Sequence, residues 1–243
     1  MNPAEAPQAV DVLAIAAHPD DVEQTCGGTL LRMAEKGYRT GVLDLTAGEM
    51  GTRGSPETRI AESEVAARHL RLDRRLNLRL PDARLENTLA ARLSVAAGIR
   101  ELRPRVVILP YWEGRHPDHY RACELSYEAC FLAGLKKLAT DFGPHRPQRI
   151  FYSSLYANVA PSFVVDISEQ FERRMAALLS YRSQYGEASE GGSLFPREEE
   201  IRERLAAVAR FYGSLIGVRY GEPFVVKEPL ALDDVVALGG RSL

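Results

Sequence analysis

A doubly wound α/β domain on a mostly parallel sheet is the fold this sequence predicts. Three observations carry it. The runs DVLAIAA (11–17), TGVLDLT (40–46) and RVVILPYW (105–112) are nearly continuous in apolar residues, as in strands buried on both faces. Each is followed by a helical pattern of ten to eighteen residues, the signature of βαβ units. No repeat, low-complexity tract or long linker divides the 243 residues, so a single domain over 1–243 is expected.

The elements follow in order. After the first strand, GGTLLRMAEKG (27–37) reads as a helix with Leu30, Leu31 and Met33 inward and Gly37 closing it. After the second strand, SPETRIAESEVAARHLRL (55–72) opens on Ser55 as N-cap, with Pro56 at the first helical position. RRLNLRL (74–80) is a short third strand, and a helix over 88–103 stops at Pro104. The fourth strand leads into a helix over 118–134. The second half is less regular. RIFYSSLY (149–156) and SFVVDIS (162–168) are strands, and Phe171, Met175, Leu178 and Leu179 share one helix face. YGEASEGGS (185–193) is small and polar, a mobile loop or lid. A last helix places Ile201, Leu205, Val208, Tyr212 and Leu215 at spacings of three and four, and PFVVKEP (223–229) reads as an edge strand bounded by prolines. The whole is a Rossmann-like, mostly parallel sheet flanked by helices.

Composition bounds the partners. The chain is 45% hydrophobic and 26% charged, with 31 basic and 33 acidic residues and a net charge of −2. Such balance points away from nucleic acid and anionic membranes. No apolar run approaches the ~20 residues that span a bilayer. MNPAEAPQAV has no basic region followed by an apolar core, so a cytoplasmic protein is expected. Cys26, Cys123 and Cys130 are odd in number and lack paired spacing, as reduced thiols would be.

Ligands of an open parallel sheet gather beyond the carboxyl ends of its strands. His18, Asp20, Asp21 and Glu23 follow the first strand, and His116, Asp118 and His119 follow the fourth. Three of the five histidines are spent there; His69 and His145 have no such company. His-Pro-Asp alone is an ordinary turn, and Asp118 could simply cap its helix, as Glu23 could be a first-turn acid. Two such clusters at equivalent strand ends argue for more. Two histidines and one carboxylate hold a metal and leave a position open for water. The remaining carboxylate and histidine match the base and the oxyanion donor of metal-assisted amide hydrolysis. A dinucleotide-binding role is disfavoured, because AAHPDD replaces GxGxxG and its acids repel a pyrophosphate. A storage or structural metal site would be closed by four ligands and would not need Asp20 and His116.

AHPDD after the first strand, paired with HPDH after the fourth, resembles the PIG-L/LmbE-like family of zinc-dependent N-acetylglucosamine deacetylases. LDLTAGEMGTRGSPETR (43–59), NLRLPDARLEN (77–87), ACFLAGLKK (129–137) and SFVVDISEQFERRMAALLSYRSQY (162–185) are similar to its bacillithiol-biosynthesis branch, which acts on N-acetylglucosaminyl malate. The resemblance implies that His18, Asp21 and His119 bind Zn²⁺, with Fe²⁺ compatible with the same donors. It makes Asp20 the general base and His116 the group that polarises the carbonyl or protonates the leaving amine. It has Asp118 orient His116. It also implies an amino-sugar substrate and a homo-oligomer. Arg53 lies in a glycine-rich loop among small residues, where it can grip a malate carboxylate; Arg115 and Asp82 are further substrate-binding candidates. EQTCGG departs from the more usual EIGCGG at Gln24 and Thr25, read as a packing change, and Cys26 is read as a small buried thiol. Other N-acylated amino sugars or thiol conjugates are the alternative substrates.

Overall fold

The computed structural model describes residues 9–155, 157–186, 197–236 and 239. Its first five strands are β1 (Val12–Ala16), β2 (Thr40–Asp44), β3 (Arg74–Asn77), β4 (Val106–Pro110) and β5 (Arg149–Ser153). They are mutually parallel in the order β3-β2-β1-β4-β5. The continuous apolar run of β1 has a plain cause. Leu13, Ile15 and Ala17 pack into the core on one face, while Val12, Ala14 and Ala16 pack into the core on the other. Helices α4 (Leu89–Leu102) and α5 (Pro117–Ala133) cover the first face. Helices α2 (Gly27–Glu35), α3 (Pro56–Leu70) and α6 (Phe171–Leu178) cover the second.

The caps match the sequence signals. Ser55 Oγ accepts from Thr58 N ahead of Pro56, and Thr88 Oγ1 accepts from Ala91 N at the start of α4. Gly37 takes a positive φ of 88° just past α2. The helix in which Glu23 reads as a first-turn acid is a separate one: α1 (Asp21–Thr25) precedes α2, broken from it at Cys26. The break presents Gly28 N and Thr29 N to the Glu222 carboxylate at 2.9 and 2.6 Å. A Cβ on Gly28 would lie 2.8 Å from Glu222 Oε1.

The edge-strand expectation for 223–229 is corrected. β7 (Gly221–Val225) lies inside the sheet, antiparallel to both β5 and β6 (Phe163–Asp166), and β6 is the edge. Phe224 turns its carbonyl to the β6 side, accepting from Ser162 N, so Pro223 faces the β5 side. The β5 ladder ends at Ser153–Phe224, so the missing N–H of Pro223 removes no bond. Helix α8 (Glu198–Ser214) buries Ile201, Leu205, Ala209 and Tyr212, whereas Val208 and Leu215 are about half exposed. Small Ala209 takes the inward position that hydrophobicity alone assigned to Val208. Beyond Gly186, the stretch read as a loop or lid lies outside the described residues. No described helix is long and apolar enough to cross a membrane.

Candidate active site

The chain leaves β1 through Ala17 and enters α1 by a single left-handed residue, Asp20, at φ 101°. A non-glycine residue there is strained, and such strain gathers at functional sites. The turn aims His18, Asp20 and Asp21 off the carboxyl edge of the sheet. At the end of β4 the chain enters α5 with His116 as N-cap, its Nδ1 accepting from Asp118 N at 3.2 Å. The two motifs meet. The rings of His18 and His116 are 4.9 Å apart, those of His116 and His119 4.7 Å, and those of His18 and His119 5.4 Å. Asp21 bridges two imidazoles, with Oδ2 3.5 Å from His18 Nδ1 and Oδ1 3.2 Å from His119 Nε2.

One expected contact falls elsewhere. The Asp118 carboxylate does not meet the His116 ring: its Oδ2 accepts from Ala83 N at 2.7 Å and lies 3.5 Å from His18 Nε2. It is the backbone of Asp118 that fixes His116, because α5 starts one residue earlier than the sequence suggested. Asp82, expected to touch substrate, lines the site cavity, and it also has its Oδ1 3.0 Å from His18 Nε2 and accepts from Met50 N. Arg115 lines the site cavity of about 340 Å³. Arg53 does not. It is buried, and its Nη1 donates to Gln184 O at 2.9 Å. The small residues beside it leave room for α7 (Arg182–Tyr185) to cover it.

The electrostatics are those of a cation site. His18, Asp20, Asp21, Asp82, Asp118 and His119 are all buried. Burial pulls the His18 imidazole down, but hydrogen bonds with Asp118, Asp21 and Asp82 outweigh it and hold its pKa well above the ordinary histidine value. Burial likewise opposes ionisation of Asp21, yet His119 and His18 hold it well below the usual carboxylate range. Asp82 and Asp118 are lowered, mainly by His18 acting against burial. Asp20 differs. Burial and the Asp21 charge raise it to about 6, against the pull of Arg59 and Tyr185. His116 is lowered by burial and by the neighbouring His18 and His119, so its ring is neutral. A carboxylate field that keeps a proton on His18 favours a metal ion in its place. Asp118 Oδ1 is buried without a hydrogen-bond partner, a further opening for one. Among the described residues, two sets of side chains bring one donor atom each to within 4.8 Å of one another: His18, His116 and His119, and His18, Asp82 and Asp118. The expected set of His18, Asp21 and His119 shares two members with the first.

Behind the site lies an ionic network that sequence reasoning missed. Arg75 of β3 takes the Asp44 carboxylate bidentately at 2.8 and 3.0 Å and reaches Glu23 Oε1 of α1 at 2.6 Å. Tyr181 Oη donates to the same Glu23 oxygen, and Arg174 of α6 donates to the carbonyls of Glu23 and Gln24. Arg174 also lies 3.3 Å from Glu222. An arginine alternating with Leu76 in a short strand was the one available signal, since it demands a buried acid. Arg75→Ala leaves the Asp44 and Glu23 carboxylates buried without their cation, Glu23 keeping only the Tyr181 hydroxyl, a loss of about 3–5 kcal/mol. At roughly 2–4 °C per kcal/mol for a chain of this size, thermal unfolding should fall by about 6–20 °C. A shift under about 2 °C would show that the network contributes little.

The PIG-L family model, described as GlcNAc-PI de-N-acetylase, matches residues 13–130. The diacetylchitobiose deacetylase of Thermococcus kodakarensis is 31% identical over 232 residues, covering 87% of this chain and 80% of that protein. A Bacillus anthracis protein named "Probable N-acetyl-alpha-D-glucosaminyl L-malate deacetylase 2" is 30% identical over 194 residues, covering 72% and 81%. A conserved protein of Thermus thermophilus has a crystal structure that superposes with a TM-score of 0.84 at 43% identity, covering 92% of this chain and 97% of that one.

Proposed function

The chain belongs to the PIG-L de-N-acetylase family, and from that premise we propose that it deacetylates an N-acetylglucosamine conjugate with a divalent ion held by His18, Asp21 and His119. One observation carries the division of labour. Asp20 and Asp21 are neighbours with different partners: Asp21 faces two imidazoles, whereas Asp20 faces Arg59 and Tyr185. Two imidazoles and a carboxylate suit Zn²⁺ or Fe²⁺ and leave a position open. When bound, such an ion would supply Lewis acidity, lowering the pKa of water toward ~7.

The chain's own groups do the rest. Asp20, raised to about 6, is still a carboxylate at neutral pH and accepts the proton of the attacking water. His116 Nδ1 is occupied by the Asp118 N–H, so the neutral ring carries its proton on Nε2. That N–H donates to the acetyl oxygen as negative charge develops there. The carbon–nitrogen bond breaks, the acetyl carbon keeps the water oxygen as acetate, and the proton on Asp20 passes to the departing amine.

For the aglycone we propose malate. Arg115 and Arg204 of α8 both line the cavity, and two guanidinium groups suit the two carboxylates of that group. The test compares N-acetylglucosaminyl malate with N,N'-diacetylchitobiose. The malate conjugate should show the higher kcat/KM, and Arg115→Ala should raise its KM roughly 10-fold or more while sparing the neutral disaccharide. Preference for the disaccharide would assign this chain to the chitobiose type, and turnover of neither would overturn the substrate class.

A further inference from the structure

The reaction as described leaves Tyr185 without a task, although it lines the cavity and donates its hydroxyl to Asp20 Oδ2 at 2.8 Å. We propose that Tyr185 is a positioning residue for Asp20, and that Arg53 is part of the latch that holds it there. The inference rests on the reading of Asp20 as base.

An aspartate carboxylate on a single left-handed turn residue has a broad, roughly two-fold torsion about its last bond. Nothing in its own backbone selects the orientation that faces the cavity. Its two oxygens are instead pinned from two sides. Arg59 Nη2 lies 3.3 Å from Oδ1 and also donates to the Pro19 carbonyl, which fixes the peptide entering the strained residue. Tyr185 holds Oδ2. With one lone pair of Oδ2 engaged, the other is directed at the water whose proton Asp20 takes.

Tyr185 is only partly buried, packed against the edges of two core clusters. Its helix, α7, is four residues long and buries none of them. Side chains from two other segments hold it. Glu62 of α3 accepts from Ser183 N and Oγ at 2.7 and 2.6 Å. Arg53 donates to Gln184 O at 2.9 Å, and Gln184 Nε2 donates back to Arg53 O at 2.7 Å. Arg53 is buried under this pair rather than turned to the cavity. The loop after β2 and the first helical turns beyond it therefore set the distance from the phenol to Asp20.

The test uses full-length, metal-loaded protein and any N-acetylglucosamine conjugate it turns over. Tyr185→Phe removes one oxygen and should lower kcat about 10-fold, with KM changed less than about 2-fold and metal content unaltered. Placed on Asp20→Asn, it should cause no further loss, because the group it positions is already gone. Arg53→Ala should give the same kcat loss as Tyr185→Phe and add nothing to it. A normal kcat in Tyr185→Phe, or losses that multiply with Asp20→Asn, would show that Tyr185 only packs or touches substrate. If Asp20→Asn alone kept full turnover, the base assignment itself would fall, whatever Tyr185 does. Should Arg53→Ala not fold, the cycle between Tyr185 and Asp20 still decides.

Discussion

Asp21→Ala protein will carry no stoichiometric divalent ion and show no measurable turnover, whereas His116→Ala protein will keep the ion and lose about 10²–10³-fold in kcat. The contrast discriminates between two donor sets that share His18 and His119. Asp21 touches both shared imidazoles and is held as a carboxylate by them. Removing it leaves two imidazole donors, too few for a tight site, and takes away the carboxylate that ties the two rings together. His116 is tied by Nδ1 to the backbone at the start of α5, with its proton directed away from that bond. Its loss removes a donor to the oxyanion and leaves the ligands in place. Elemental analysis of the purified variants, with circular dichroism to confirm folding, reads the outcome. Metal retained by Asp21→Ala and lost by His116→Ala would make the centre a three-histidine one.

Asp20→Asn should retain its ion and lose on the order of 10²–10⁴-fold in kcat. The substitution keeps the size of the side chain and its place between Arg59 and Tyr185, and it deletes the ability to accept a proton. Its neighbour Asp21 keeps both imidazole contacts, so metal content should match the parent. Steady-state kinetics beside metal analysis separates the two roles. An Asp20→Asn protein that lost metal but, when reloaded, hydrolysed normally would exchange the assignments of the two aspartates.

The residues that meet at the candidate site were legible because the sequence places charge where burial forbids it. His18, Asp20 and Asp21 interrupt an apolar strand end, as His116, Asp118 and His119 do at another, and only one edge of a parallel sheet can bring both together. The residues that hold them were not legible. Arg59, Arg174, Tyr185 and Glu222 come from polar helix faces and a short strand, where an isolated charge normally reads as solvated. What marks them is a partner 39 to 194 positions away, which no local pattern encodes. Arg53 was misplaced for the same reason: small neighbours signal room, and the sequence does not say what fills it. The position of β7 was misjudged because Pro223 suggested an edge, whereas its missing donor faces a stretch of β5 that has no ladder bond to lose.

Glu222 on β7 has a consequence for how the protein is made. Every expected ligand lies between residues 18 and 119, so a growing chain holds the whole donor set before α6 and β7 are made. The turn that aims those donors is braced by Arg174, Tyr181 and Glu222, which are translated much later. Because β7 inserts between β5 and β6, the brace closes only after the last described strand has threaded into a sheet already begun. Arg59 and Arg75, which hold Pro19, Asp20 and Glu23, are already present by then, so the early segment is braced from one side only. The order of the sequence thus separates the residues that make the candidate site from part of the frame that holds them, and that part of the frame arrives last.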